Sequence, residues 1–187
     1  MKVLYLGDIV GRAARQAVYD KLPGWRQRLS LDFVLVNAEN AAGGFGLTPK
    51  ICEDLYAAGA DVILTGNHVF DQREILTVIS DEPRLLRPMN YPEATPGTGL
   101  GTYAVKGGRK AMVVQVMGRI FMDPLDDPFA AVERALAEVR LGREAHFILV
   151  DIHGEATSEK MAMGHFLDGR VSAVIGTHTH VPTADLQ

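Results

Sequence analysis

A rhythm constrains this chain more than any other feature. Short apolar runs rich in Val, Ile and Leu alternate with stretches of helical spacing, and polar residues able to bind metal follow the runs. The runs span residues 3–6, 33–37, 62–65, 111–117, 147–152 and 171–175. Continuous apolar runs of this kind suit strands covered on both faces. Helical spacing occupies residues 13–28, 49–58, 72–80, 128–140 and 158–167. Alternating βαβ units imply an α/β fold whose sheet is largely parallel and packed against helices. The rhythm breaks over residues 87–101, which hold three prolines and three glycines. This break predicts a crossover into a second sheet formed by residues 102–105 and 111–117, joined by a turn at Gly107-Gly108. There is no internal repeat and no low-complexity segment.

Composition narrows the class. A length of 187 residues favours one domain with a core that needs no staples. The formal charge of −4 is too mild to imply a nucleic-acid groove. Cys52 is the single cysteine, so an intrachain disulfide framework and a cysteine-rich metal site are both excluded. No apolar run reaches the roughly 18 residues that span a bilayer, and the apolar start of the chain is cut short by Asp8. The expected residence is therefore cytoplasmic, without a membrane partner.

The strand ends carry the chemistry. Asp8 follows the first run, Glu39-Asn40 the second, Asn67-His68 the third, His153 the fifth, and His178 with His180 the last. Ligands bind open α/β sheets outside the carboxyl ends of the strands, so these clusters are expected to converge. Each alone has an ordinary explanation: Asp8 a helix cap, Asn67 a turn residue, His153 a hydrogen-bonded core histidine. Five at equivalent positions point to a site. His178-Thr179-His180, read as extended chain, would put both rings on one side. The chain is too short for the eight-stranded barrel of about 250 residues that uses such a pair elsewhere. Carboxylates, amide oxygens and imidazoles without a thiolate suit manganese or iron, with zinc compatible. Glu39 is placed to bridge two ions about 3.5–4 Å apart. Two divalent cations outweigh Asp8 and Glu39 in charge, and the surplus mildly favours a singly charged phosphodiester over a monoester. The glycine-rich segment 41–46 reads equally as a tight turn or as a neighbour of the substrate. The Gly97–Gly101 stretch lacks the strand and helix of a dinucleotide site, and His146 and His165 lie away from the strand ends.

These residues resemble a known family. Leu6-Gly7-Asp8, Asn37-Ala38-Glu39-Asn40, Thr65-Gly66-Asn67-His68, Asp151-Ile152-His153 and Gly176-Thr177-His178-Thr179-His180 resemble the motifs of the calcineurin-type metallophosphoesterases. Gly7-Asp8-Ile9-Val10-Gly11, the run from Asn37 to Gly44, and Ala156-Thr157-Ser158-Glu159-Lys160 are similar to its YmdB-like branch, the 2′,3′-cyclic-nucleotide 2′-phosphodiesterases. The resemblance implies a two-sheet sandwich flanked by helices (αββα). It implies two divalent metal ions, Asp8, Glu39, Asn40 and His180 holding one and Glu39, Asn67, His153 and His178 the other. His68 then faces the scissile phosphate as the catalytic side chain. Val10 stands where the wider superfamily has a histidine, and Asn40 is expected to fill that gap. The implied activity is hydrolysis of cyclic nucleotides through attack by a metal-activated hydroxide, with 2′,3′-cyclic nucleotides first and 3′,5′-cyclic AMP as a further candidate. A phosphomonoesterase on the same site, or a metal- and nucleotide-binding regulator with weak turnover, are the alternatives. The partner is a small phosphodiester. Residues 1–187 are expected to form a single domain shortened at its C-terminus, without the family's closing strands, and so to self-associate into a homo-oligomer through an exposed sheet edge.

Overall fold

The structure, a computed structural model, describes residues 1–184. Strands β1 (Val3–Leu6), β2 (Phe33–Asn37), β3 (Val62–Leu64) and β4 (Leu85–Leu86) form one parallel sheet in that order. Strands β5 (Leu100–Val105), β6 (Arg109–Met117), β7 (Phe147–His153) and β8 (Ala173–Thr177) form the second. In it β5 and β6 are antiparallel, while β6, β7 and β8 run parallel. The crossover expected from the Pro/Gly segment is present, and the turn at Gly107-Gly108 has both glycines at positive φ.

Side-chain alternation assigns each strand face. Phe33 and Leu35 of β2 point towards the other sheet, where they pack with Val62, Leu64, Ala111, Val113 and Leu149. Val34 and Val36 point the opposite way, against helices α1 (Gly11–Arg28) and α2 (Pro49–Ala58). In the second sheet Met112, Val114, Ile148, Val150 and Ile152 face outward onto α3 (Pro128–Leu136) and α4 (Thr157–Phe166). The layers are therefore helix, sheet, sheet, helix. The face between the sheets turns polar at the carboxyl end: Asn37, Thr65, Gln115, Asp151, His153 and Thr177 are all buried there.

Local signals account for several boundaries. Thr48 accepts the Ile51 amide with Pro49 opening α2, and Gly59 ends that helix in the left-handed region. Asp127 caps α3 by accepting the Phe129 and Ala130 amides. Other expectations need correction. The helix expected over 72–80 is only a 3₁₀ turn, Arg73–Thr77, preceded by an extended Gln72 whose side chain is committed to the Phe45 carbonyl. The helix expected to run to residue 140 stops at Leu136, after which Ala137 and Val139 bond three residues back. Strand β4 is two residues long, too short to show a period. The last strand lies two residues later than expected, because Ser172 is occupied in capping the start of the ladder with Ile148. That shift brings Thr177 into register with His153.

Candidate metal centre

The carboxyl ends of β1, β2, β3, β7 and β8 meet at one edge of the sandwich. Asp8 follows β1 and its Oδ2 accepts the His178 amide at 2.9 Å. Glu39 follows β2, almost wholly buried, and its Oε2 lies 3.1 Å from His153 Nε2. Gly66 makes this approach possible: a Cβ there would lie 2.2 Å from Glu39 Oε2 and 2.5 Å from His153 Nε2. Asn67 Oδ1 stands 3.0 Å from the same His153 nitrogen, and His178 Nδ1 stands 3.2 Å from it. On the other side of Glu39, His180 Nε2 is 3.0 Å from Asn40 Oδ1 and 3.4 Å from Asp8 Oδ2. Two groups result, Glu39 with His153 and His178, and Asp8 with Glu39 and His180; within each the ligating atoms lie within 4.8 Å of one another.

Expectation and structure differ on the histidine pair. His178 and His180 lie beyond β8 with φ of +101° and +56°, so they sit on a turn and not on extended chain. The turn sends the His178 ring to His153 and the His180 ring to Asn40 and Asp8. His68 lies at the rim, its amide 3.5 Å from Glu39 Oε2 and its ring Nδ1 2.7 Å from Asp71 Oδ2. His146 accepts the Lys110 amide and His165 is exposed on α4, both away from the cluster.

The cluster's own hydrogen bonds leave several inward-facing lone pairs unmatched. Asp151 is fully buried and accepts from Tyr5 Oη at 2.8 Å, Thr177 Oγ1 at 2.7 Å and Gln115 Nε2 at 3.2 Å. Because the Thr177 hydroxyl proton goes to Asp151, Thr177 oxygen is left to accept from His153 Nδ1, 2.9 Å away. The His153 proton is thereby placed on Nδ1, and the Nε2 lone pair faces Glu39 and Asn67, which also present lone pairs. His178 Nε2 faces Glu155 at 3.2 Å, which leaves its Nδ1 lone pair turned to His153 as well. Asn40 spends its amide on the Gly44 carbonyl, so its oxygen too faces inward. Asp8 Oδ1 and Glu39 Oε1 are buried with no hydrogen-bond partner among the described residues. Stranding a buried carboxylate oxygen is expensive, and a cation is the group that satisfies converging lone pairs. The residues present therefore fit divalent cations.

Burial and neighbours set the charges. Burial pushes the Asp151 carboxyl up to about 6, against His153 and the hydrogen bonds from Thr177 and Tyr5 that pull it down. Burial likewise raises Asp8, opposed by the His178 amide. For His178, burial and the neighbouring His153 both favour the neutral ring that a ligand requires.

Sequence reading missed Asp71, Glu155 and Thr177, the outer partners of His68, His178 and His153. The spacing of Asp71 three residues after His68 is a usable signal. Thr177 stands inside the Gly176–His180 motif, but as a neutral residue at the end of a strand it gives no local sign of its role.

The αββα sandwich with this strand-end cluster has the architecture of the metallophosphoesterases. The chain belongs to the YmdB-like protein family, whose family model matches residues 4–187. It is 46% identical over 185 residues to the 2′,3′-cyclic-nucleotide 2′-phosphodiesterase of Bacillus subtilis (strain 168), covering 99% of this chain and 69% of that protein. Among solved structures, a hypothetical protein from Thermus thermophilus matches with a TM-score of 0.92 at 49% identity, over 100% of this chain and 71% of the other. A novel phosphatase from Mycoplasma pneumoniae matches with a TM-score of 0.90 at 33% identity, over 100% of this chain and 67% of the other. No helix among the described residues is long and apolar enough to cross a membrane.

Proposed function

We propose that this chain is a dinuclear metal-dependent phosphodiesterase hydrolysing 2′,3′-cyclic nucleotides, with residues 1–187 acting as one metallophosphoesterase domain. The observation that carries the reading is Glu39, common to both ligand groups and left with a buried, unpartnered oxygen. Asp8, Glu39, Asn40 and His180 would hold one cation, and Glu39, Asn67, His153 and His178 the other. Manganese or iron suits this set of hard oxygens and imidazoles, with zinc compatible. When bound, the cations supply Lewis acidity towards the phosphoryl oxygens and make a water molecule a competent nucleophile at neutral pH.

The chain's own residues do the rest. Thr177 and Glu155 orient the His153 and His178 rings, which keeps their inward nitrogens aimed where the cations would be held. Asp71 holds His68 through Nδ1, leaving Nε2 as the nitrogen free to face the phosphate. As water oxygen bonds to phosphorus and sheds one proton to solvent, one ring P–O bond breaks and the departing ribose oxygen takes the Nε2 proton of the His68 imidazolium, which solvent then restores. That ribose alkoxide is a poor leaving group, so the proton matters. The Bacillus subtilis relative's activity supports the choice of substrate.

The test compares 2′,3′-cyclic AMP, a nitrophenyl diester and a nitrophenyl monoester, with manganese and after chelation. We expect both diesters to be hydrolysed with manganese, neither after chelation, and the monoester slowly. A monoester turned over faster than either diester would make the protein a phosphomonoesterase. Undiminished turnover after chelation would reject the metal-dependent reading.

A further inference from the structure

We infer that Phe45 is a nucleobase platform, so that the site selects nucleoside cyclic phosphates over phosphodiesters that lack a base. The inference rests on the phosphodiesterase reading above and specifies how the substrate is held.

The loop that carries Phe45 is fixed at both ends to the candidate site. Gly44 donates its amide to the Asn40 carbonyl at 3.0 Å, and the Asn40 side chain donates to the Gly44 carbonyl at 2.9 Å. Ala42 donates to the Gly46 carbonyl at 2.9 Å, and Gln72 Nε2 donates to the Phe45 carbonyl at 2.8 Å. Gly46, at φ +78°, lies so flat on the turn after β3 that a Cβ would sit 2.9 Å from Gln72 N and 3.2 Å from the His68 carbonyl. Asn40 and His68, the two residues beneath this loop, are themselves a candidate ligand and the candidate acid.

On this pinned backbone Phe45 is 58% exposed. Its ring meets the His68 imidazole edge-to-face, with centroids 5.0 Å apart. A lone exposed apolar residue is ordinary. This one differs because four hydrogen bonds hold the main chain of its loop, one of them at its own carbonyl, and its ring borders the imidazole assigned to the scissile phosphate. A rigid aromatic surface with a free side, next to a phosphate position, is what a nucleobase stacks upon, as it does on the aromatic platforms of nucleic-acid-binding proteins. The order along the site then matches the order along the substrate: cations at the phosphate, His68 at the departing ribose oxygen, Phe45 at the base.

The test uses two substrates with the same five-membered cyclic diester, 2′,3′-cyclic AMP and methyl riboside 2′,3′-cyclic phosphate, which has no base. For Phe45→Ala we expect the kcat/KM preference for the nucleotide to fall about tenfold, chiefly through KM, and Phe45→Trp to retain it. Equal losses on both substrates would mean that Phe45 only supports His68, and would overturn the proposal, as would no loss on either. Should the wild-type protein hydrolyse neither compound, the phosphodiesterase reading fails by itself. Calorimetric titration with 3′-AMP and ribose 3-phosphate then decides the platform: a wild-type preference for 3′-AMP that Phe45→Ala abolishes supports it, and its absence overturns it.

Discussion

Glu39 Oε2 and His153 Nε2 meet at 3.1 Å where the carboxyl ends of the two sheets come together, with side chains 1% and 0% exposed. Burial disfavours both charges. His153 nevertheless holds the Glu39 carboxyl below the usual carboxylate range, and Glu39, with Asp151 and Asp8 behind it, holds the His153 imidazole above its ordinary value, so a proton on His153 Nε2 competes with a cation for this nitrogen and metal binding would displace it. Glu39 follows a strand of the first sheet and His153 ends a strand of the second, so a cation bound between them also fastens one sheet to the other.

Loss of metal should therefore be largest at Glu39. Glu39→Gln keeps the shape and removes the charge shared by both ligand groups, so the purified protein should lose both metals. His180→Ala should lose one. Elemental analysis measures this directly, and chelation of the wild type should lower Tm because a ligand of the native state has been withdrawn.

Thr177 should tune affinity without touching a cation. Thr177→Val keeps the volume but removes the hydroxyl between His153 Nδ1 and Asp151. Loss of such an outer partner typically weakens metal binding about 10–100-fold. Manganese titration by calorimetry checks it, with a normal circular dichroism spectrum as the control for folding.

His68→Ala should separate proton donation from metal binding. Hydrolysis of 2′,3′-cyclic AMP should fall by about 10²–10⁴-fold, as for a lost general acid, while a nitrophenyl diester, whose leaving group needs no proton, loses far less. Metal content should stay the same. Asp71→Asn should show the same pattern in weaker form, because the imidazole remains but its Nδ1 partner is no longer an anion. Equal losses on the two substrates would remove the proton-donating role.

Cys52 should be silent to thiol reagents in the folded protein. Burial, with Glu82 nearby, pushes its pKa up to about 12, and the residue is only 4% exposed. At pH 8 the thiolate, which is the reactive form, is then about one part in 10⁴. A disulfide reagent at that pH should label nothing until denaturant is added, and then one thiol per chain.

Asp61 should matter for stability well away from the site. Its carboxylate accepts two bonds from Arg26, at 2.8 and 3.1 Å, and the amide of fully buried Val34 at 2.7 Å. Asp61→Ala strands that amide and should cost about 1–3 kcal/mol in urea unfolding. Asp61→Asn, which can still accept from Val34, should cost less.

Sequence alone determined the parts that local chemistry controls. Helix α2 is bounded by Thr48-Pro49 and Gly59, each acting within a turn of its own position. The continuous apolar runs of β2 and β7 mark strands covered on both faces, and their alternation with helical spacing makes the layered α/β fold readable. The strand-end residues are readable too, since each follows an apolar run. What only the tertiary structure decided is which of them meet, and through which atom. The sequence does not reveal the left-handed turn that sends His178 and His180 to different partners, because histidine rarely adopts positive φ and nothing local demands it here. Nor does it reveal the Thr177 hydroxyl that assigns the His153 proton, or the Phe45 ring laid against His68. These contacts join residues distant along the chain, and they exist because two sheets pack face to face and bring their carboxyl ends together.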